Sequence, residues 1–280
     1  MNKKLCVLGG DLRQETVYNM LDRDGFSVEK VGISCDGCDY SSLSACDILI
    51  LPLPASYDNT YINAPLCREK IQIRAVADAL PCGCMVFGGC MSDVILELFA
   101  RKNIRCYDYF SREELIIKNA IPTAEGAIEI ALAELPITLF GSRALVVGYG
   151  RIGKILASRL RAFGASVTVS ARKHKDFAWI EEAGLLPLHT NKIRECAGDF
   201  DVIFNTVPAT VLDRAVLDAV RDDALIIDLA SKPGGVDFTA AKELSKRVIW
   251  ALSLPGKTAP ITSGKIIKDT ILNMLCEMEV

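Results

Sequence analysis

One hexapeptide carries more chemical information than any other stretch of this chain: Gly148-Tyr149-Gly150-Arg151-Ile152-Gly153. It follows an apolar run, Ala144-Leu145-Val146-Val147, and precedes residues with helical periodicity. Glycine spacing alone is a weak signal, but a strand, a glycine turn and a helix in that order describe a pyrophosphate-binding turn. The first glycine permits the tight turn, the second lets a phosphate approach the backbone, and the third lets helix and strand pack closely. The helix start then offers free N–H groups and a partial positive charge to the anion. All six residues are candidate dinucleotide contacts; the competing reading is a glycine turn without a ligand.

The next strand end decides which dinucleotide. Sites for NAD carry an acid there to bond the ribose 2′-hydroxyl. Here the segment Val169-Ser170-Ala171-Arg172-Lys173-His174-Lys175 has no acid. Ser170, Arg172 and Lys173 would attract a 2′-phosphate, so NADP (or NADPH) is expected; the alternative is a solvated basic loop. Asn205-Thr206-Val207-Pro208 follows a later strand and is expected to border the ribose or nicotinamide. Asp228-Leu229-Ala230-Ser231-Lys232-Pro233-Gly234-Gly235 follows the strand after it and offers the Ser231 hydroxyl and the Lys232 amine near the nicotinamide end. Both segments also fit ordinary turn chemistry.

Those turns need a framework, and the sequence supplies one twice. Short β-rich runs alternate with helical stretches, the α/β signature. In the first half, strands are expected at 5–8, 26–31, 47–51, 85–87 and 104–107, with helices at 11–24, 71–80 and 92–102. In the second, strands are expected at 144–147, 166–170, 185–188, 202–205, 225–229 and 248–251, with helices at 152–163, 176–183, 192–196, 212–220 and 238–246. Between them a helix is expected to begin at Ile121, with Pro122 in its first turn, and to end before Pro136. The fold class expected is two Rossmann-like, doubly wound parallel-sheet domains joined by a long helix. Residues 1–119 form a flavodoxin-like substrate domain, 120–141 the connector, 142–258 the NADP-binding domain, and 259–280 a helix packing back toward the first domain.

Composition narrows the functional classes. Half of the 280 residues are hydrophobic and 24% are charged, enough apolar material for cores. The net charge is −3 with no basic stripe, which argues against nucleic acid as a partner. No apolar run reaches the roughly 18 residues of a membrane span. The first apolar stretch is too short for a signal sequence and Asp11 interrupts it, so a cytoplasmic location is expected. Eleven cysteines are an odd number for a disulfide framework, and reduced thiols are expected. Cys35-Asp36-Gly37-Cys38 is a lone CxxC, with Cys82, Cys84 and Cys90 as a second group. Zinc ribbons pair two such knuckles, so no metal site is assigned.

Gly9-Gly10-Asp11-Leu12-Arg13-Gln14, Ile121-Pro122-Thr123-Ala124-Glu125-Gly126, Asn205-Thr206-Val207-Pro208, the stretch from Asp228 through Val236-Asp237-Phe238, and Leu254-Pro255-Gly256-Lys257-Thr258-Ala259-Pro260 together resemble the A-subunit family of dipicolinate synthases, in order and over nearly the whole chain. The resemblance implies a cytoplasmic protein of spore formers, working with a flavoprotein-like B subunit. It implies NADP-linked oxidation of a dihydrodipicolinate to pyridine-2,6-dicarboxylate, which accumulates in spores. The cysteine groups at 35–38 and 82–90 are not part of the family pattern.

A substrate with two carboxylates calls for cations and N–H donors. Arg13, able to grip a carboxylate with two hydrogen bonds, and the Gly9-Gly10 turn are expected as one anchor, with Pro52, Gly88 and Thr123 also lining the substrate site. Lys232 is the second anchor or the proton acceptor. Asp11 and Glu125 are the other acid–base candidates, although Glu125 also suits a helix dipole. His174 and His189 are expected to be surface or packing residues. Two other readings stay open: a dinucleotide-binding regulatory or scaffolding subunit, and an NADP-dependent dehydrogenase of another small carboxylic acid. A homo- or hetero-oligomer is expected.

Overall fold

The computed structural model describes residues 3–34 and 39–279, so the Cys35/Cys38 pair lies outside the described residues. The chain forms two compact units, Met1–Asn119 with Ala259–Val280, and Ala120–Thr258.

The first unit runs β1 (Lys4–Leu8), α1 (Leu12–Arg23), β2 (Ser27–Val31), β3 (Ile48–Ile50), α2 (Ile73–Ala79), β4 (Met85–Gly88), α3 (Asp93–Ala100) and β5 (Arg105–Asp108). Its five parallel strands lie in the order β2-β1-β3-β4-β5, the flavodoxin arrangement. β1 is apolar because both sheet faces are covered: Leu8, Leu49 and Val86 face one core and Val7, Ile50 and Phe87 the other, all at 0–1% exposure. Gly9 and Gly10 then turn the chain at φ +66° and +91°. Asp11 starts α1 by accepting the Arg13 N–H at 2.9 Å.

Next come α4 (Glu113–Glu134), β6 (Arg143–Val147), α5 (Arg151–Ala162), β7 (Ser166–Ala171), α6 (His174–Glu182), β8 (Leu186–His189), α7 (Ile193–Cys196), β9 (Val202–Asn205), α8 (Arg214–Ala219), β10 (Leu225–Asp228), α9 (Phe238–Glu243), β11 (Arg247–Trp250) and α10 (Leu254–Thr258). The six strands are parallel in the order β11-β10-β9-β6-β7-β8. Numbered within the unit, that is the doubly wound dinucleotide order, with its topological switch between β6 and β9. The last element, α11 (Pro260–Glu277), belongs to the first unit. It lies so close to α1 that a Cβ built on Gly264 would stand 2.6 Å from the Arg13 carbonyl oxygen. Ile266, Ile267, Ile271, Met274 and Leu275 complete the core on that face. Lys268 bonds Asp24 at 2.6 Å, and Arg112 grips Glu277 at 2.6 and 2.7 Å.

The two parallel sheets match expectation; the connector differs. α4 begins at Glu113, not Ile121, so Pro122 lies inside the helix and deprives the Lys118 carbonyl of its usual donor. The helix persists because it is anchored on both sides of the proline. Leu115 is buried in the core of the first unit, and Ala124, Ala127 and Ala131 in that of the second. α10 is the other unexpected helix, built around Pro255-Gly256. Among the described residues no helix is long and apolar enough to cross a membrane.

Candidate functional site

In the second unit the three glycines between β6 and α5 differ in what surrounds them. Gly148 adopts φ +98°, and a Cβ on it would stand 2.6 Å from Thr206 Oγ1. A Cβ on Gly153 would stand 2.1 Å from the Gly148 carbonyl oxygen, so only glycine lets α5 close on the turn. Gly150, between them, has no heavy atom within 4 Å of a built Cβ. It is also the N-cap of the 12-residue α5 and supplies no side-chain cap. The helix start therefore faces open space with its polarity available to an anion. The turn fits a pyrophosphate.

Around it, Arg151 is exposed and Ile152 is partly buried on the apolar core. Tyr149 turns away, its hydroxyl donating to the Trp179 carbonyl at 3.3 Å and the Lys154 ammonium lying 5.3 Å from its ring centroid. Arg172 and Lys173, just after β7, are exposed and make no ion pair among the described residues. Ser170 differs from expectation. It is fully buried and its Oγ has no partner, so it is not part of the exposed cationic surface.

At the carboxyl ends of β9 and β10, Asn205 and Asp228 are both completely buried and bonded to each other at 2.8 Å. Thr206 Oγ1 donates to the Val147 carbonyl at 2.8 Å, Val207 is partly buried and Pro208 exposed. Ser231 and Lys232 stand exposed on the turn that follows β10, and Lys232 makes no hydrogen bond or ion pair among the described residues. A free amine at the carboxyl edge of a parallel sheet is well placed for chemistry.

In the first unit, the Arg13 side chain is only 11% exposed. Its Nε bonds Asp11 Oδ1 at 2.9 Å, and its Nη2 bonds Asp11 Oδ2 at 2.8 Å and the Leu53 carbonyl at 2.6 Å. Burial opposes the charge, but the hydrogen bonds and charge of Asp11 outweigh it and raise the guanidinium pKa. Nη1 makes no hydrogen bond among the described residues. Gly10 donates to the Asn63 carbonyl at 2.7 Å. A Cβ on Gly10 would overlap the Gln14 side chain and stand 3.2 Å from Pro52, so Gly10, Gln14 and Pro52 form one packed corner. Gly88 is buried beneath Met91, whose Sδ would stand 2.7 Å from a built Cβ, and is a packing residue.

The α4 boundary changes two other assignments. Glu125 is twelve residues into the helix, not in its first turn, and pairs with Arg159 at 3.3 Å near the far end of α5 from the glycine turn. Its carboxylate holds helices together and is poorly placed as a base. Thr123, 9% exposed within α4, belongs to the second unit, whereas Gly9, Gly10, Arg13, Pro52 and Gly88 belong to the first. Both oxygens of Asp11 are engaged by Arg13, so it orients the guanidinium rather than accepting a proton.

Three supporting residues were not anticipated. Gln14 Nε2 and Tyr109 Oη both donate to the Leu51 carbonyl at 2.9 Å and fix the β3 exit. Asp108 accepts the N–H groups of Cys90, Met91 and Phe110 at 3.2, 3.3 and 2.8 Å. For Asp108 and Tyr109 the signal is a polar side chain at the end of a strand; Gln14 lies in α1 and carries no such signal. Cys82, Cys84 and Cys90 are free thiols, and among the described residues no group of His, Cys, Asp and Glu side chains is arranged to hold a metal ion. A cavity of about 430 Å³ beside Lys3, Phe26 and Leu275 opens at the amino edge of the first sheet, opposite the edge where such folds bind ligands.

Residues 4–110 match the family model for the N-terminal domain of the A subunit of dipicolinate synthase, and residues 123–237 that of the D-isomer specific 2-hydroxyacid dehydrogenase NAD-binding domain. The chain is 31% identical to the A subunit of dipicolinate synthase from Bacillus subtilis (strain 168), over 99% of this chain and 97% of that one. The crystal structure of the same subunit from Bacillus halodurans superposes with a TM-score of 0.89 at 30% identity, covering 98% of each chain. The crystal structure of the Bacillus subtilis subunit gives 0.89 at 32% identity, covering 100% of this chain and 97% of the other.

Proposed function

Because the chain belongs to the family of dipicolinate synthase A subunits, we propose that it oxidises a dihydrodipicolinate to pyridine-2,6-dicarboxylate with NADP, alongside a flavoprotein-like B subunit. It is a nicotinamide-dinucleotide-dependent dehydrogenase by family and fold; the 2′-phosphate, the substrate and the partner are the finer reading. The cytoplasm of a spore-forming cell is the compartment this reading implies.

The observation that carries it is the Gly148–Gly150–Gly153 cradle, tight at its first and third glycines and open at the second. A bound nicotinamide would supply the acceptor for the hydride that leaves the substrate ring. The 148–153 turn holds the pyrophosphate, and Arg172 and Lys173 hold the 2′-phosphate. Arg13, oriented by Asp11 and the Leu53 carbonyl, receives one substrate carboxylate through Nη1. Lys232 anchors the second carboxylate as an ammonium or, as the neutral amine, takes the proton released as the ring becomes aromatic. Aromatisation makes proton loss easy, so a modest base suffices, and positioning within about 3–3.5 Å supplies much of the rate.

The test supplies 4-hydroxytetrahydrodipicolinate, which gives the dihydrodipicolinate by loss of water, and NADP to the purified chain, with the candidate B subunit present in a second tube. One NADPH formed per dipicolinate in either tube supports the proposal. No dipicolinate in either tube contradicts it.

A further inference from the structure

Asp228 ends β10 with 0% exposure, yet no cation pairs with it among the described residues. Its partners are three N–H groups. Asn205 Nδ2 at 2.8 Å and the Ala230 amide at 3.0 Å reach Oδ1, and the Gly235 amide at 2.8 Å reaches Oδ2. Both oxygens act only as acceptors, the role of a carboxylate. Burying such a group is costly unless its hydrogen bonds are complete, and a well-packed apolar residue often serves stability as well or better. Stability alone therefore gives a weak reason for an acid here.

The geometry gives a stronger one. Two of the donors lie at opposite ends of a single turn, residues 230–235, and the third comes from the neighbouring strand end. The carboxylate thus pins both ends of the turn to the end of β10 and, through Asn205, to β9. The turn lies so close to the pair that a Cβ on Gly234 would stand 2.9 Å from Asp228 Oδ2, and one on Gly235 would stand 2.1 Å from Asn205 Nδ2. The Gly235 carbonyl accepts from the Val211 and Leu212 amides at 3.1 Å each, and the Ala230 carbonyl from Trp250 Nε1 at 3.0 Å. Asn205 extends the network: its Oδ1 accepts the Val207 N–H at 3.2 Å and its Nδ2 reaches the Val207 carbonyl at 3.0 Å. Thr206 continues it to the Val147 carbonyl, beside the Gly148 turn. The Asp228–Asn205 and Thr206–Val147 hydrogen bonds, joined by the Asn205–Thr206 peptide, cross three adjacent strand ends, β10, β9 and β6.

We propose that Asp228 is the positioning residue for the nicotinamide half of a bound dinucleotide. It touches no ligand itself; through Asn205 and the 230–235 turn it sets where Ser231 and Lys232 stand. The inference rests on the dinucleotide reading above. It also predicts a division of labour: the adenosine half depends on Gly150, Arg172 and Lys173, and the nicotinamide half on Asp228.

The test compares wild type with Asp228→Asn, which keeps the side-chain shape but turns one acceptor oxygen into an NH2 group facing an N–H donor. Each protein is titrated with adenosine 2′,5′-bisphosphate and with NADP, and amide exchange is followed across residues 229–236 without ligand. The expected result is bisphosphate affinity unchanged within about twofold, NADP affinity lower by about tenfold or more, and faster exchange confined to the turn. Asn205→Ala, which removes one donor of three, should show the same split at smaller size and serves if Asp228→Asn does not fold. Equal losses for both nucleotides, or no loss and unchanged exchange, overturn the proposal. A wild-type chain that binds neither nucleotide ends the dinucleotide reading instead. The exchange arm needs no ligand and still decides whether Asp228 holds the turn.

Discussion

Replacing Gly150 by alanine should separate binding from folding. Gly150 has φ −84° and ψ −162°, an extended conformation open to any residue, and a Cβ there meets no heavy atom within 4 Å. The methyl group meets no neighbour; the poorer helix N-cap that alanine makes and the reduced freedom of the unfolded chain are each about 0.4–1 kcal/mol and oppose one another, so stability should change little. The same methyl fills the open side of the turn. A phosphate oxygen seated about 2.9 Å from the backbone amides would be displaced, and each lost charge-assisted hydrogen bond is worth about 1.5–3 kcal/mol. NADPH affinity should therefore fall about tenfold to a hundredfold or more. Gly153→Ala is the contrast. Its Cβ would lie 2.1 Å from the Gly148 carbonyl oxygen and 3.0 Å from the carbonyl carbon, so α5 must move. Overpacking of this kind costs about 1–3 kcal/mol, and both stability and binding should fall. Thermal melts and NADPH fluorescence titrations on the two variants read both quantities. The reasoning is refuted if Gly150→Ala binds NADPH like wild type, or melts as early as Gly153→Ala.

Other perturbations test the remaining parts. Arg13→Ala should raise KM for the dicarboxylate about tenfold to a hundredfold, with NADP affinity unchanged, and Arg13→Lys should not rescue it because the fork is lost; unchanged steady-state kinetics would count against the anchor. The hydrogen bonds from Arg112 hold the Glu277 carboxyl below its ordinary pKa range. A carboxyl depressed in the folded state stabilises above its unfolded pKa, about 4.3, and the effect is lost as pH falls through the folded value. Protection of the amides in the last turn of α11, taken relative to their intrinsic exchange rates, should accordingly fall below about pH 4, and be low already at pH 7 in Arg112→Ala; a flat protection profile contradicts the pairing. Surrounding protein, and next the Asp108 carboxylate, push the Cys90 thiol up to about 11. At pH 8 iodoacetamide should label it about a hundredfold more slowly than a peptide thiol and gain about tenfold per pH unit; labelling at the peptide rate would be the contrary result.

Both sheets were legible because parallel strands covered on two faces read as short apolar runs, and Gly9, Pro52, Gly88 and Gly148 punctuate their carboxyl ends. The start of α4 was not. Pro122 is a common first-turn residue, and nothing in the local pattern shows that Leu115 and Ala124 would each find a core to hold the helix across it. That single boundary also misplaced Glu125. The glycine turn could be read from its spacing together with the apolar run before it and the helical pattern after it, since its three roles are backbone geometry. Ser170 could not, because whether a strand-end hydroxyl points outward or into the layer depends on pairing to neighbouring strands. Asp108, Tyr109 and Gln14 escaped for a related reason: each serves the site by holding backbone groups distant in sequence.

Calorimetric titration of the wild-type chain with NADPH and NADH, repeated on the Arg172→Ala/Lys173→Ala double variant, tests the central claim most directly. The predicted result is binding of both by wild type, NADPH tighter by about tenfold or more, with the preference collapsing in the variant. Tighter binding of NADH, equal affinity, or no heat with either nucleotide would contradict it.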